Sequence, residues 1–191
     1  MTREVLKRLF EAAAFSDAEK MTEELFAKYH DLDGIISADP HALSGLIGER
    51  AAMLVKLAAA LASRRDTEKL SVGDKCDPLA LGEFLVALFR GSSVEIVYAV
   101  CLDRSDRVLA VELVGEGTVN SANITPRRLV DIAVKNRAVS VVIAHNHPSG
   151  RVDPSRQDLD FTDSLRAMLD SVGIRLVAHY TVAGSNCKKI Y

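Results

Sequence analysis

The sequence predicts an α/β (α+β) fold, in which a central mixed sheet is flanked by helices and preceded by a small all-helical module. From Arg3 to about Arg65, apolar side chains recur at helical spacing. Beyond Gly91 the pattern changes to runs rich in β-branched residues, separated by segments of helical length. The resulting order of hairpin, helix, strand, loop, helix and strand is typical of a sheet covered by helices.

A polar segment separates the two predicted parts of the chain. The stretch "RRDTEKLSVGDKCDP" is charged and poor in apolar residues, as linkers are, and Pro78 then begins a helix that continues through Leu88. We therefore predict a helical module at 1–65, a linker at 66–77 and the sheet domain at 78–191.

Each element of the sheet domain has a local signal. "VEIVYAVCLD" and "RVLAVELVG" flank the short turn "RSD" and predict a hairpin, while Thr125 and Pro126 suit the start of a helix. "AVSVVIA" is a continuous apolar run, as expected of a strand buried on both faces, and it leads directly to His145. A further helix ends near Gly173, and "IRLVAHYTVAG" predicts the closing strand.

A polar cluster follows the predicted central strand, in "AHNHPSGRVDPSRQD". On an extended segment His145 and His147 project to the same side, and Asp158 returns toward them from the next helix. Two imidazoles and one carboxylate leave the fourth tetrahedral position open, which is the arrangement of catalytic zinc. The sequence therefore predicts a Zn²⁺ site of His145, His147 and Asp158.

The same stretch has two other interpretations. Ser155 and Asp158 also fit an S-x-x-D capping box at a helix start, which needs no metal but leaves the histidines unexplained. The letters "HNH" resemble a nuclease motif, but in those enzymes the three residues are spread over a longer unit. Their contiguity here argues against a nuclease.

Composition limits the classes of function that the protein can have. The 191 residues carry a net charge of −2, so any nucleic-acid binding would need a local basic patch. Three widely spaced cysteines form no C-x-x-C pair, and no apolar run reaches the roughly 20 residues that span a bilayer. We expect a soluble, cytoplasmic protein with no membrane partner.

The string "HNHPSGRVDPSRQD" resembles the zinc motif of the JAMM/MPN metalloprotease-like superfamily (JAB domain), in the version typical of the bacterial RadC family. The similarity covers roughly Val94 to the end of the chain. It implies a JAMM/MPN-like fold, zinc ligation by His145, His147 and Asp158, and a serine hydroxyl at Ser155 that helps to hold the tetrahedral intermediate.

The same resemblance implies a catalytic glutamate on an early strand. The matching position is Glu95, which would take a proton from the attacking water and pass it to the leaving amine. Glu112 and Glu116 are weaker candidates for the same catalytic role. The alternative interpretation of Glu95 is an exposed carboxylate at a strand end that has no catalytic role. We expect His179 to be structural or to support a ligand, because a lone strand histidine usually bonds locally.

The N-terminal module resembles the family's helix-hairpin-helix region, which binds backbone phosphates. Here the matching segment "GLIGERAAM" has Leu46 where the first glycine would fall, and leucine tolerates positive φ poorly. Residues 1–75 carry eleven Lys/Arg against thirteen Asp/Glu, a net charge of −2. We therefore expect a degenerate module, with DNA as a weakly supported partner.

Three functions remain open. The first is a zinc-dependent hydrolase that cleaves a peptide or isopeptide bond in a peptide or protein substrate. The alternative is a DNA-associated, RadC-like accessory protein of DNA repair, in which zinc is structural or non-catalytic. The third is an interaction scaffold with an empty site, against which the intact ligand set argues.

Overall fold

The computed structural model of the protein describes residues 2–67, 70–117 and 124–191. The chain divides into two compact units, one formed by Met1–Ser63 with Arg90–Ser93 and the other by Arg64–Phe89 with Val94–Tyr191. The division into 1–65, 66–77 and 78–191 stays a prediction, and residues 68 and 69 of the predicted linker lie outside the described residues.

The first unit is helical, as the apolar spacing predicts. Its helices are α1 (Thr2–Ala12), α2 (Ala18–Tyr29), α3 (Leu32–Ser37), α4 (Pro40–Ile47) and α5 (Glu49–Thr67), of which the last four residues belong to the second unit. Asp31 and Asp39 cap α3 and α4 by accepting hydrogen bonds from main-chain amides three residues on. The largest side chains with no exposed surface in this core are Phe10, Leu25, Ile35 and Leu43.

The turn between α4 and α5 differs from the sequence-based expectation. Leu46 lies within α4 and packs, partly buried, against the apolar core. The residue with positive φ is Gly48, at +81°. The backbone objection raised for Leu46 therefore does not apply in this structure.

The second unit contains a five-stranded mixed sheet. Its strands are β1 (Ile96–Leu102), β2 (Val108–Glu116), β3 (Ser140–Asn146), β4 (Arg175–Ala183) and β5 (Asn186–Lys189). They lie in the order β2-β1-β3-β4-β5, in which β3 and β4 are parallel and the other neighbours antiparallel. The predicted mixed sheet is confirmed, and β3 is its central strand.

Helices cover both faces of this sheet. Helix α6 (Pro78–Phe89) packs on one face, where it shares an apolar core with Val142 and Ala144 of β3. Helices α7 (Pro126–Lys135) and α8 (Arg156–Ser171) pack on the other face with Val141 and Ile143. Every residue of β3 is buried, as the continuous apolar run predicts.

Two differences from the predicted elements bear on the site. Strand β3 continues past the apolar run to include His145 and Asn146, so the first histidine is itself part of the sheet. Strand β5 was not predicted, and its residues pair with β4 after a short turn at Gly184. Within the described parts of the chain, none of the helices combines the length and apolar character needed to cross a bilayer.

Candidate metal centre

The two histidines converge at the end of the central strand. His145 lies on the α8 side of β3 because it continues the alternation of Val141 and Ile143. His147 follows directly, and the centroids of the two imidazole rings are 4.8 Å apart. The predicted projection of both rings to the same side is confirmed.

The loop after β3 returns the chain to the histidines at the start of α8. The amide of Gly150 donates to the carbonyl of His147 at 3.1 Å, and Gly150 has a φ of +80°, which closes a tight turn. The carbonyl of Arg151 accepts a hydrogen bond from His147 Nδ1 at 2.8 Å. These contacts fix the His147 ring so that Nε2 faces the cluster.

Asp158 caps α8 and also lies beside the two histidines. Its amide donates to Ser155 Oγ at 3.2 Å, while its Oδ2 accepts hydrogen bonds from the Ser155 amide at 2.6 Å and hydroxyl at 2.7 Å. The predicted capping box is therefore present. Asp158 is only 2% exposed, and its other oxygen, Oδ1, lies 3.2 Å from His145 Nε2. The capping box and the ligand interpretation thus describe the same carboxylate.

The metal-type cluster consists of four side chains whose ligand atoms all lie within 4.8 Å of one another, namely Glu95, His145, His147 and Asp158. His145 Nε2 and His147 Nε2 are 3.1 Å apart, and His147 Nε2 is 3.5 Å from Asp158 Oδ2. A zinc ion that keeps about 2.0–2.1 Å to each ligand sets tetrahedral ligand atoms about 3.3–3.4 Å apart. The donor set and its spacing therefore fit a zinc-sized cation.

Glu95 reaches the cluster from the residue just before β1. Its carbonyl accepts a hydrogen bond from the Gly117 amide at 2.8 Å. The side chain of Asn146 binds the main chain on either side, accepting from the Ile96 amide at 2.7 Å and donating to the Val94 carbonyl at 3.0 Å. Glu95 is therefore fixed where the end of β3 meets the start of β1.

The two weaker glutamate candidates lie elsewhere. Glu112 accepts a hydrogen bond from Asn136 at 3.3 Å and lies 3.8 Å from Lys135, both at the end of α7. Glu116 pairs with Ile96 in the β1–β2 ladder. Among the described residues, the cluster includes Glu95 and neither of these two.

Behind His145 lies a buried chain of polar contacts. His145 Nδ1 is 2.8 Å from His179 Nε2, and His179 Nδ1 is 2.6 Å from Thr162 Oγ1. Thr162 Oγ1 in turn donates to the carbonyl of Asp158 at 2.5 Å. His179 therefore supports His145, which is one of the two roles expected of it, although its partners lie 34 and 17 positions away and are not local.

Burial and hydrogen bonding set the charges of these groups. Burial alone would raise the pKa of Asp158, but His145, when protonated at Nε2, and the hydrogen bonds from Ser155 hold that pKa well below its usual range. Burial, followed by repulsion from a charged His145, lowers the pKa of His179 to about 3. Near neutral pH the cluster therefore combines an ionised carboxylate with a neutral His179 beside it.

Sequence reasoning did not single out Asn146 or Thr162 as functional. Asn146 stands between two candidate ligands, and its polar side chain at the end of a buried strand was the available signal. Thr162 follows Asp158 by four residues, one helical turn, but its apolar neighbours made it look like a core position. The main-chain partners of Asn146, and His179 as the partner of Thr162, are distant in sequence, so these contacts could not be read from the motif.

The fold and the cluster define a class, an α/β domain with a candidate metal centre at the end of its central strand. Within that class, residues 76–189 match the family model described as RadC-like JAB domain. The protein therefore belongs to the RadC-like JAB domain family.

Curated relatives agree with this assignment over most of the chain. A UPF0758 protein of Cupriavidus pinatubonensis is 32% identical, over 92% of this chain and 85% of the relative. Similar proteins from Halorhodospira halophila and Nitrosospira multiformis are 35% and 33% identical, over 86% and 88% of this chain and 75% and 77% of their own lengths. The similarity thus extends beyond the JAB domain into the helical unit.

Proposed function

We propose that the protein is a zinc-dependent hydrolase that cleaves a peptide or isopeptide bond. The observation that carries this proposal is the convergence of the metal-type cluster, in which all four ligand atoms lie within 4.8 Å of one another. Two imidazoles and one carboxylate are the ligands of an open zinc site, and a second carboxylate is suited to proton transfer.

His145, His147 and Asp158 would hold the ion. Zinc bound there would act as a Lewis acid toward a substrate carbonyl and would lower the pKa of water in the site. The three residues come from β3, the loop after it and the start of α8, so their spacing is set by the sheet and by the helix cap. A site built on such elements is held more precisely than one built on loops alone.

Glu95 is the proposed general base. Its carboxylate lies within 4.8 Å of the proposed ligand atoms, a gap that one water molecule with hydrogen bonds of about 2.8 Å can bridge. In the proposed reaction Glu95 accepts a proton as the water oxygen bonds to the substrate carbonyl carbon. The same proton then passes to the nitrogen as the C–N bond breaks, which leaves an acid and an amine.

Ser155 has a second proposed role. Its hydroxyl donates to Asp158 Oδ2 at 2.7 Å, and this bond gives Ser155 a structural role at the start of α8. To stabilise a developing oxyanion as well, the hydroxyl would have to turn from that oxygen toward the substrate. The peptide or isopeptide class, and hence a peptide or protein partner, rests on the resemblance to the JAMM/MPN superfamily.

The proposal is tested by metal content and turnover together. The purified protein is expected to carry about one zinc per chain, and Glu95→Gln to keep that zinc while losing about 100-fold or more in turnover. The probe is a set of synthetic peptides with main-chain and lysine-linked amide bonds, read by mass spectrometry. Glu112→Gln serves as the matched control and should cleave like the wild type. Equal cleavage by Glu95→Gln, or by the zinc-free protein, would overturn the proposal.

A further inference from the structure

The buried contacts behind His145 form a continuous path through three elements. They run from His145 on β3 to His179 on β4, then to Thr162 on α8 and to the carbonyl of Asp158. His145 and His179 have no exposed surface, and Thr162 is only 4% exposed. The path therefore connects the side chain of one proposed zinc ligand to the main chain of another without passing through solvent.

The direction of these hydrogen bonds follows from the Thr162 hydroxyl. A hydroxyl has one proton, and the Asp158 carbonyl at 2.5 Å can only accept it. Thr162 Oγ1 must then accept from His179 Nδ1, which lies 2.6 Å away. The opposite assignment would place two oxygen lone pairs against each other in a buried site, which is costly.

The same reasoning fixes the proton of His145. A neutral His179 that donates from Nδ1 has a lone pair at Nε2, and that lone pair accepts the Nδ1 proton of His145 at 2.8 Å. With its Nδ1 donating to His179, His145 offers its Nε2 lone pair to a cation on the side that faces Asp158 at 3.2 Å. Without a cation, a proton on Nε2 has to separate this nitrogen from the Asp158 carboxylate. His147 presents its Nε2 in the same way, because its Nδ1 donates to the Arg151 carbonyl.

We propose that His179 and Thr162 are positioning residues, which set the His145 tautomer that can bind a metal and hold His145 against Asp158. The proposal rests on the zinc site of the proposed function. Metal-binding histidines usually donate their second N–H to a carboxylate, a carbonyl or water. Here the acceptor is the neutral His179, which is itself bonded to Thr162. Thr162 then donates to the main-chain carbonyl of Asp158, whose carboxylate is the third proposed ligand.

The main chain around His179 supports this role. Its carbonyl accepts a hydrogen bond from the Ile190 amide at 2.8 Å, which extends the β4–β5 pairing to the end of the described chain. His179 is also opposite Ile143 in the β3–β4 ladder. A histidine held by the strands on both sides is a rigid support for His145.

Zinc affinity of the metal-free protein is the first test. Thr162→Val removes the hydroxyl with little change of shape, and we expect it to weaken zinc binding about 10- to 100-fold, whereas Thr162→Ser should stay close to the wild type. Thr22→Val is the matched control, because Thr22 is also buried and donates to the carbonyl four residues earlier, but in the helical unit. Wild-type affinity in Thr162→Val, or no recovery in Thr162→Ser, would overturn the proposal.

A second variant tests whether the two residues act as one unit. His179→Phe keeps a ring but removes both ring nitrogens, and it should weaken zinc binding at least as much as Thr162→Val. Adding Thr162→Val to His179→Phe should then cost little more, because the path is already broken. Fully additive losses would contradict a common path.

Nitrogen NMR of the metal-free protein separates this inference from the proposed function. The histidine ring signals report which nitrogen carries the proton, and neutral His179 should carry it on Nδ1 in the wild type and in Thr162→Ser. In Thr162→Val the tautomers should become mixed. A proton on Nε2 of neutral wild-type His179 would refute the proposed path even if zinc binds, whereas failure to bind zinc would refute only the metal site.

Discussion

The side-chain amide of Asn146 holds the main chain on both sides of Glu95. It accepts a hydrogen bond from the amide of Ile96 at 2.7 Å and donates one to the carbonyl of Val94 at 3.0 Å. Asn146 lies between the two histidines of the motif, so one short segment supplies two candidate ligands and the support of the candidate base. The middle residue of the H-N-H triplet thus has a structural reason to be a primary amide, which both donates and accepts.

Removing this amide is expected to affect stability and turnover but not the zinc content. Asn146→Ala leaves two main-chain groups without their partner, so the free energy of unfolding should fall by about 1–3 kcal/mol. Displacement of Glu95 should lower turnover by about 10- to 100-fold. Chemical denaturation, zinc analysis and peptide cleavage measure the three quantities.

A matched asparagine is available as the control for this prediction. Asn136 is also partly buried and bonded through its side chain, but at the end of α7. Asn136→Ala should leave turnover at the wild-type level. If Asn146→Ala behaves like Asn136→Ala in the cleavage assay, Asn146 has no particular link to Glu95.

Metal removal should destabilise the folded protein. A ligand that binds only the native state at 100 times its dissociation constant adds about 2.7 kcal/mol, so a chelator should lower the Tm by about 5–10 °C. His147→Ala should show the lower Tm with or without the chelator. His41→Ala, at an exposed position of α4, should respond like the wild type. A chelator effect that persists in His147→Ala would remove His147 from the ligand set.

The cap of α8 should contribute to stability independently of any metal. Ser155→Ala removes the acceptor of the Asp158 amide and a donor to its carboxylate, so the metal-free protein should lose about 1 kcal/mol. Ser164→Ala is the control, because that hydroxyl is exposed and bonds only within α8, and its effect should stay within about 0.5 kcal/mol. Equal effects of the two variants in urea denaturation would show that the capping box contributes nothing.

The stability of the metal-free protein should fall as the pH is lowered from about 6.5 toward about 3. In this window His179 takes up a proton in the unfolded chain but not in the folded one, where its pKa is about 3. The unfolded state therefore binds more protons, and acid favours it by up to about 1.4 kcal/mol per pH unit. The lowered pKa of Asp158 acts in the same direction below about pH 4, where the aspartate of the unfolded chain takes up a proton.

Denaturation curves at several pH values measure this slope. His179→Phe has no group at this position that titrates, so its stability should depend less on pH over the same window. An identical slope in the variant would mean that His179 is not the group responsible.

The helical unit should bind DNA weakly. Residues 1–75 carry a net charge of −2, from eleven Lys/Arg and thirteen Asp/Glu, and affinity for a phosphate backbone depends on local positive charge. Gel shifts with duplex and branched DNA over a salt series should show little retardation. Tight binding that weakens steeply with salt would support the DNA-associated alternative instead.

The elements of the sheet domain could be predicted because their signals are local. The Thr125 cap accepts from the amide of Arg128, and Pro126 begins α7 as its preset φ favours. The capping box at Ser155 and the convergence of His145 with His147 likewise follow from short-range geometry. A residue's partner within four positions can be read from the sequence.

The parts of the fold and of the candidate site that could not be predicted depend on contacts between residues distant in sequence. Asn146 bonds to residues 50 and 52 positions away, and His145 bonds to His179, 34 positions away. Strand β5 is short and mostly exposed, so no hydrophobic alternation marked it, and only its pairing with β4 makes it a strand. These relationships follow from the sheet register, which single-sequence patterns do not specify.

The Asp158 carboxylate both caps α8 and belongs to the metal-type cluster, and this affects what conservation of the motif among relatives can show. A relative without any catalytic activity would still lose folding stability if Asp158 were replaced, because the first turn of α8 would lose its cap. Conservation of the aspartate among relatives is therefore weak evidence of activity. Across the lineage, the presence or loss of Glu95 is the better marker of whether selection has acted on chemistry or only on folding.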